Sequence, residues 1–167
     1  MAEKDERLQR LHDAVASLRV GPASDPATMV GPLIAAPTGK LERALTSLDP
    51  GEAWLVEPCA LETPGTAAGT SWSPGVRLGV RPGSWFHRTE CFGPVLGLMR
   101  ADDLDHAIEL QNAGDYALTG GIHSLDGDEI DRWLSGVEVG NAYVNRHITG
   151  AIVRRQGRSE ERRVGKE

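Results

Sequence analysis

The sequence predicts an α/β fold with a mainly parallel sheet, and three observations in its second half predict it. Apolar runs suited to strands alternate with stretches of helical spacing, the joins between them are short, and acidic residues stand where helices begin. Taken in order, Asp5 to Leu18 sets Leu8, Leu11, Val15 and Leu18 at helical spacing with charges between them. Val20-Gly21-Pro22 stops that helix, and a loop rich in Pro, Ser and Asp runs to about Pro32. Leu41 to Leu48 reads as a second helix, and Ala53 to Val56 as a short strand. Pro58 to Arg88 is so rich in Gly, Pro, Ser and Thr that it reads as long connections with brief extended pieces.

From Pro94 the pattern sharpens. Pro94 to Met99 is an apolar strand, and Ala101-Asp102-Asp103 opens a helix through Leu110, its acids suited to the positive end of the helix dipole. Leu118 to His123 is the next strand, Asp126-Gly127-Asp128 opens a helix through Leu134, and Val137 to Asn145 closes as a strand. Such a succession is the mark of βαβ units.

Composition narrows the function. With 40% hydrophobic and 25% charged residues the chain is globular rather than disordered. A net charge of −6 argues against nucleic acid, which needs a basic face to neutralise phosphates. The two cysteines, Cys59 and Cys91, fit no metal or disulfide pattern, which points to a reducing cytoplasm. No apolar run reaches the roughly 20 residues of a membrane span. Five histidines lack paired ligand spacing, so no metal site is expected.

Two stretches can carry chemistry. In an extended Glu90-Cys91-Phe92-Gly93-Pro94, Glu90 and Phe92 point to the same side because side chains alternate. A carboxylate beside an aromatic ring suits a sugar: the acid accepts from two hydroxyls while the ring packs on the sugar face. An exposed glutamate beside a core phenylalanine is the plainer alternative, and on composition alone the favoured one. In Thr149-Gly150-Ala151, small residues let backbone N–H groups converge on an anion. A tight turn after a strand is the plainer alternative, and on the residues alone the favoured one.

The stretch TECFGPVLGLMRADDLDHAIELQNAGDYALTGGIHS resembles the aldehyde dehydrogenase superfamily, with its Glu-x-Phe-Gly-Pro-Val motif, following strand and helix, and Gly-Leu-Thr-Gly-like strand. LRVGPASDPATMVGPLI resembles an earlier passage of the family, and VGNAYVNRHITGAIVRRQ resembles in particular the L-glutamate γ-semialdehyde dehydrogenases, including the dehydrogenase module of bifunctional proline-utilisation enzymes.

The resemblance implies an NAD-dependent oxidoreductase of proline degradation acting on a small aldehyde, cytoplasmic and homo-oligomeric as a whole enzyme. Glu90 would bind the nicotinamide-ribose hydroxyls and Phe92 would pack beside that ribose. Thr149, Gly150 and Ala151 would anchor the substrate α-carboxylate. In such enzymes a cysteine thiolate attacks the aldehyde, and a glutamate activates the water that later hydrolyses the thioester. By resemblance both belong upstream of this chain, so residues 1–156 are expected to be a partial catalytic domain with no catalytic residue, inactive alone. A non-catalytic assembly domain of a longer proline-utilisation protein is the alternative; it needs no cofactor, so Glu90, Phe92 and the Thr149–Ala151 loop argue against it.

At Gly157 the pattern breaks: the subfamily's Pro-Phe-Gly-Gly should follow Gln156, and Gly-Arg-Ser stands there instead. Arg158 to Glu167 reads, codon for codon, as the translation of a common short-read sequencing adapter. Residues 157–167 are therefore expected to be a non-native tail and are set aside from fold reasoning.

Overall fold

The computed structural model describes residues 2–149, with side chains from Glu6 onward. The chain divides into two compact units, one ending at Met99 and the other starting at Arg100. The expected tail over 157–167 lies outside the described residues, as do Gly150 and Ala151.

The first unit opens with helix α1 (Ala2–Ala16). Leu8, Leu11 and Val15 are half-buried while most of the charges between them are exposed, as helical spacing requires. Helix α2 (Gly39–Thr46) buries Ala44 and Leu45 almost completely. Strands β1 (Ala53–Val56), β2 (Gly75–Leu78) and β3 (Val95–Gly97) form one sheet in that order, with a single-turn helix α3 (Trp85–Arg88) between the last two. β1 pairs antiparallel with β2, and β2 parallel with β3.

β2 is therefore the middle strand of the sheet, although it arises from a stretch that reads mainly as connections. Its concealment has a physical cause. A strand buried on both faces is normally a continuous apolar run, and here Arg77 interrupts it. Val76 and Arg77 are each only 1% exposed.

Arg77 survives burial because its guanidinium is well occupied. It donates to Ala44 O at 3.2 Å, to Ser47 O at 2.7 Å and to Glu52 Oε2 at 2.5 Å. The same Glu52 oxygen accepts from Asp49 N at 3.0 Å. The guanidinium also lies 4.4 Å from the Phe86 ring centre and 5.4 Å from that of Trp54, both within cation–π range. One cation thus joins the end of α2, the turn before β1, β1 itself, β2 and α3.

In the second unit, α4 (Leu104–Asn112) is capped by Asp103, whose carboxylate accepts from His106 N at 2.8 Å. The cap fixes the start at Leu104 rather than Ala101, because Asp103 itself is extended. Strand β4 (Thr119–Ile122) leads to α5 (Gly127–Gly136), capped by Asp126 through Asp128 N and Glu129 N. Strand β5 (Asn141–Val144) then pairs parallel with β4, with Thr119 opposite Asn141. Trp133 Nε1 donates to Gln111 Oε1 at 2.9 Å, and Arg132 also ties α5 to α4, its Nε and Nη2 donating to the two carboxylate oxygens of Asp105.

Two expectations need correction. The strand expected over Pro94 to Met99 is shorter: β3 has only three residues, Val95–Gly97, and pairs parallel with β2, while β4 and β5 pair parallel with each other. The strand expected over Val137 to Asn145 is also paired only from Asn141. Val137 N is still donated back to Trp133 O at 2.9 Å, and Glu138 N is taken by Asn112 Oδ1 at 2.8 Å. Those donors are committed before the strand begins.

The Arg77–Glu52 pair yields a stability prediction. Glu52 is 2% exposed in its side chain, and its Oε1 and Arg77 Nε have no hydrogen-bond partner among the described residues. Arg77→Met, which leaves Glu52 buried without its partner, should cost about 3–5 kcal/mol in urea unfolding followed by tryptophan fluorescence. Adding Glu52→Gln should recover a substantial part. A loss below about 1 kcal/mol, the scale of a surface pair, would contradict this account.

Candidate functional site

Between α3 and β3 the chain runs extended and its side chains alternate. Thr89, Cys91 and Gly93 are half-buried, whereas Glu90 and Phe92 are exposed. The alternative of a core phenylalanine does not hold, since Phe92 is 75% exposed. Carboxylate and ring stand on the outer side of one short ledge, as alternation in an extended segment demands.

The inner side of the ledge is braced. Cys91 Sγ donates to Lys40 O at 3.8 Å, on the first turn of α2. A β-carbon at Gly93 would come within 2.3 Å of Leu41 Cδ1, so any larger residue there would make the Leu41 side chain shift. Gly93 N donates to Cys91 O at 3.0 Å, turning the chain toward β3, and Gly75 N donates to Pro94 O at 2.8 Å.

Upstream, α3 is fixed by its Ser84 cap and by Arg43, whose guanidinium lies 4.1 Å from the Trp85 ring centre. The ledge thus hangs between two elements that Arg77 holds, α2 and α3. Sequence reading singled out Glu90 and Phe92 and passed over Arg77, Lys40 and Leu41. A lone arginine inside an otherwise apolar GVRLGV was the one available signal.

In the second unit, Thr149 is exposed at the end of the segment that leaves β5. The other two predicted anchor residues, Gly150 and Ala151, lie outside the described residues. Asn145, which sequence reading passed over, has a positive φ of 53°. Among the described residues no group of three or more His, Cys, Asp or Glu side chains is arranged to hold a metal ion.

An exposed carboxylate and an exposed ring on one side of a strip can together engage a sugar: the acid supplies acceptors for two hydroxyls, and the ring an apolar face. Cys91 is half-buried against α2. Burial pushes its thiol up, against the opposing pull of the Lys40 and Arg77 charges, and a raised pKa leaves less thiolate at a given pH. Iodoacetamide at pH 8 should therefore modify exposed Cys59 several-fold faster than Cys91, read by peptide mass spectrometry. Faster labelling of Cys91 would contradict its burial against α2.

Residues 2–157 match the model of the aldehyde dehydrogenase family. The 1-pyrroline-5-carboxylate dehydrogenase of Geobacillus thermodenitrificans is 32% identical over 152 residues, covering 89% of this chain and 28% of that protein. The solved structure of proline utilization A from Corynebacterium freiburgense superposes with a TM-score of 0.83 at 54% identity, covering 90% of this chain and 16% of that one. Lactaldehyde dehydrogenase from Escherichia coli superposes with a TM-score of 0.75 at 28% identity, over 89% of this chain and 31% of the other. The chain spans less than a third of the length of each of these relatives. On its family match and its fold, the chain belongs to the aldehyde dehydrogenase family.

Proposed function

We propose that this chain is part of the catalytic domain of an NAD-dependent L-glutamate γ-semialdehyde dehydrogenase, a cytoplasmic homo-oligomer that oxidises the semialdehyde to glutamate. The observation that carries the reading is the braced ledge with Glu90 and Phe92 both turned outward. Two relatives support the choice of substrate through their names, 1-pyrroline-5-carboxylate dehydrogenase and proline utilization A.

In this reading residues 1–156 are native and 157–167 are not. Glu90 accepts hydrogen bonds from the ribose hydroxyls and Phe92 packs against the ribose, so the two orient the nicotinamide end of the cofactor. When bound, NAD accepts the hydride. Thr149, Gly150 and Ala151 present backbone N–H groups to the substrate carboxylate, which sets the aldehyde at a fixed distance from its charged end. The nucleophilic cysteine and the general base belong to the part of the parent enzyme that precedes these residues, and neither Cys59 nor Cys91 replaces them.

Two measurements test the proposal. The chain alone, given semialdehyde and NAD, should produce no NADH above the uncatalysed rate, and enzyme-like turnover would refute its inactivity. In the intact parent enzyme, Glu90→Gln should weaken NAD binding about tenfold, the effect of losing charge-assisted hydrogen bonds worth roughly 1.4 kcal/mol. An unchanged KM for NAD with Glu90→Gln would remove Glu90 from the cofactor site.

A further inference from the structure

The strip from Thr89 to Pro94 runs from α3 to β3, and those two elements meet at the ring of Phe86. Phe86, on α3, packs against Gly97, on β3. A β-carbon added at Gly97 would come within 2.6 Å of Phe86 Cε1, 2.8 Å of its Cδ1 and 3.0 Å of Val80 Cγ2. Register explains the meeting. Gly97 is the partner of Arg77 in the parallel pairing of β3 with β2, and partners in a pair turn to the same face of the sheet. The Arg77 guanidinium occupies its part of that face, 4.4 Å from the Phe86 ring centre. Beside it Gly97 leaves bare backbone, and the ring lies against it.

The ring has other neighbours. The Trp85 ring is tilted against it with centres 6.4 Å apart, and Trp85 in turn carries the Arg43 guanidinium of α2 at 4.1 Å. A methyl at position 97 would have to displace the Phe86 ring, and α3 with it. The consequence falls on the strip. A short segment that runs extended has little slack, so it cannot absorb a displacement of one end without turning its side chains. Its middle is fixed on α2 by Cys91 and Gly93, which leaves its α3 end to be set by the ring.

We propose that Phe86, seated on Gly97, is a positioning residue for the cofactor ribose: the ring closes α3 onto β3, and that closure holds Glu90 and Phe92 outward at a fixed spacing. The inference rests on the ribose reading of Glu90 and Phe92 and adds the contact that pre-organises them. Size is the essential property, because the ring needs a neighbour without a side chain.

The test uses the intact parent enzyme, with NAD affinity read by calorimetry and the strip read by iodoacetamide labelling of Cys91 at pH 8. Gly97→Ala should leave the KM for semialdehyde unchanged and speed labelling of Cys91 several-fold. If the competent strip drops to about a tenth of the population, the NAD dissociation constant rises about tenfold. Adding Phe86→Leu, which makes room for the methyl, should move both readouts back toward wild type, a coupling that independent defects would not show. Unchanged NAD affinity in Gly97→Ala, where Glu90→Gln weakens it, would overturn the inference, as would a double variant no better than Gly97→Ala. If labelling of Cys91 responds as expected but neither Gly97→Ala nor Glu90→Gln alters NAD affinity, the ring holds the strip and the ribose reading falls. Should Gly97→Ala lose its cooperative unfolding transition, Phe86→Leu alone decides, and Cys91 labelling and NAD affinity both equal to wild type overturn the inference.

Discussion

A guanidinium taken out of water must find its hydrogen bonds in the fold, and Arg77 finds them at the end of α2 and in the turn before β1, both distant from it in sequence. Burial of a paired charge adds little net stability, because desolvation offsets most of the attraction. Its effect is on arrangement. Ala44 O and Ser47 O end α2, Glu52 closes the turn into β1, and Phe86 belongs to α3. Each must arrive in register for the charge to be satisfied, and a misplaced α2 or α3 would leave it stranded. The two buried atoms without partners, Glu52 Oε1 and Arg77 Nε, show that even the observed arrangement is not perfectly matched.

The strip that carries Glu90 and Phe92 follows from that constraint. α2 supplies Lys40 O and the Leu41 side chain against which Cys91 and Gly93 rest, and α3 leads directly into Thr89 and Glu90. With its inner side occupied, an extended strand can only turn its alternate residues outward. Glu90 and Phe92 are thus exposed by the placing of their neighbours rather than by lack of structure. The second unit uses a different device, since the Asn145 side-chain amide, paired with the Ser124 backbone, fixes the start of the exposed segment that leaves β5.

How much of this was legible depended on whether the determining interaction was local. The helices announced themselves through periodicity at Leu8, Leu11 and Val15, and through acidic caps at Asp103 and Asp126. Alternation alone put Glu90 and Phe92 on one side, but not on the exposed one, because that depends on α2 packing against Cys91 and Gly93. β2 was obscured because its central residue is charged, and its burial makes sense only once Glu52 and the end of α2 are known to meet it. The early part of the last expected strand failed for a comparable reason, its Glu138 N–H having been claimed by Asn112. Asn145 gave no pattern at all, for a single asparagine after a strand does not reveal a left-handed backbone.

The central claim is that the outward pair on the Arg77-held strip receives the ribose of NAD. A crystal structure of the intact parent enzyme with NAD bound tests it directly. The account predicts both ribose hydroxyls within about 2.6–3.2 Å of the Glu90 carboxylate oxygens, with the Phe92 ring in contact with the sugar. A nicotinamide ribose bound away from both residues, with the strip unchanged, would contradict it.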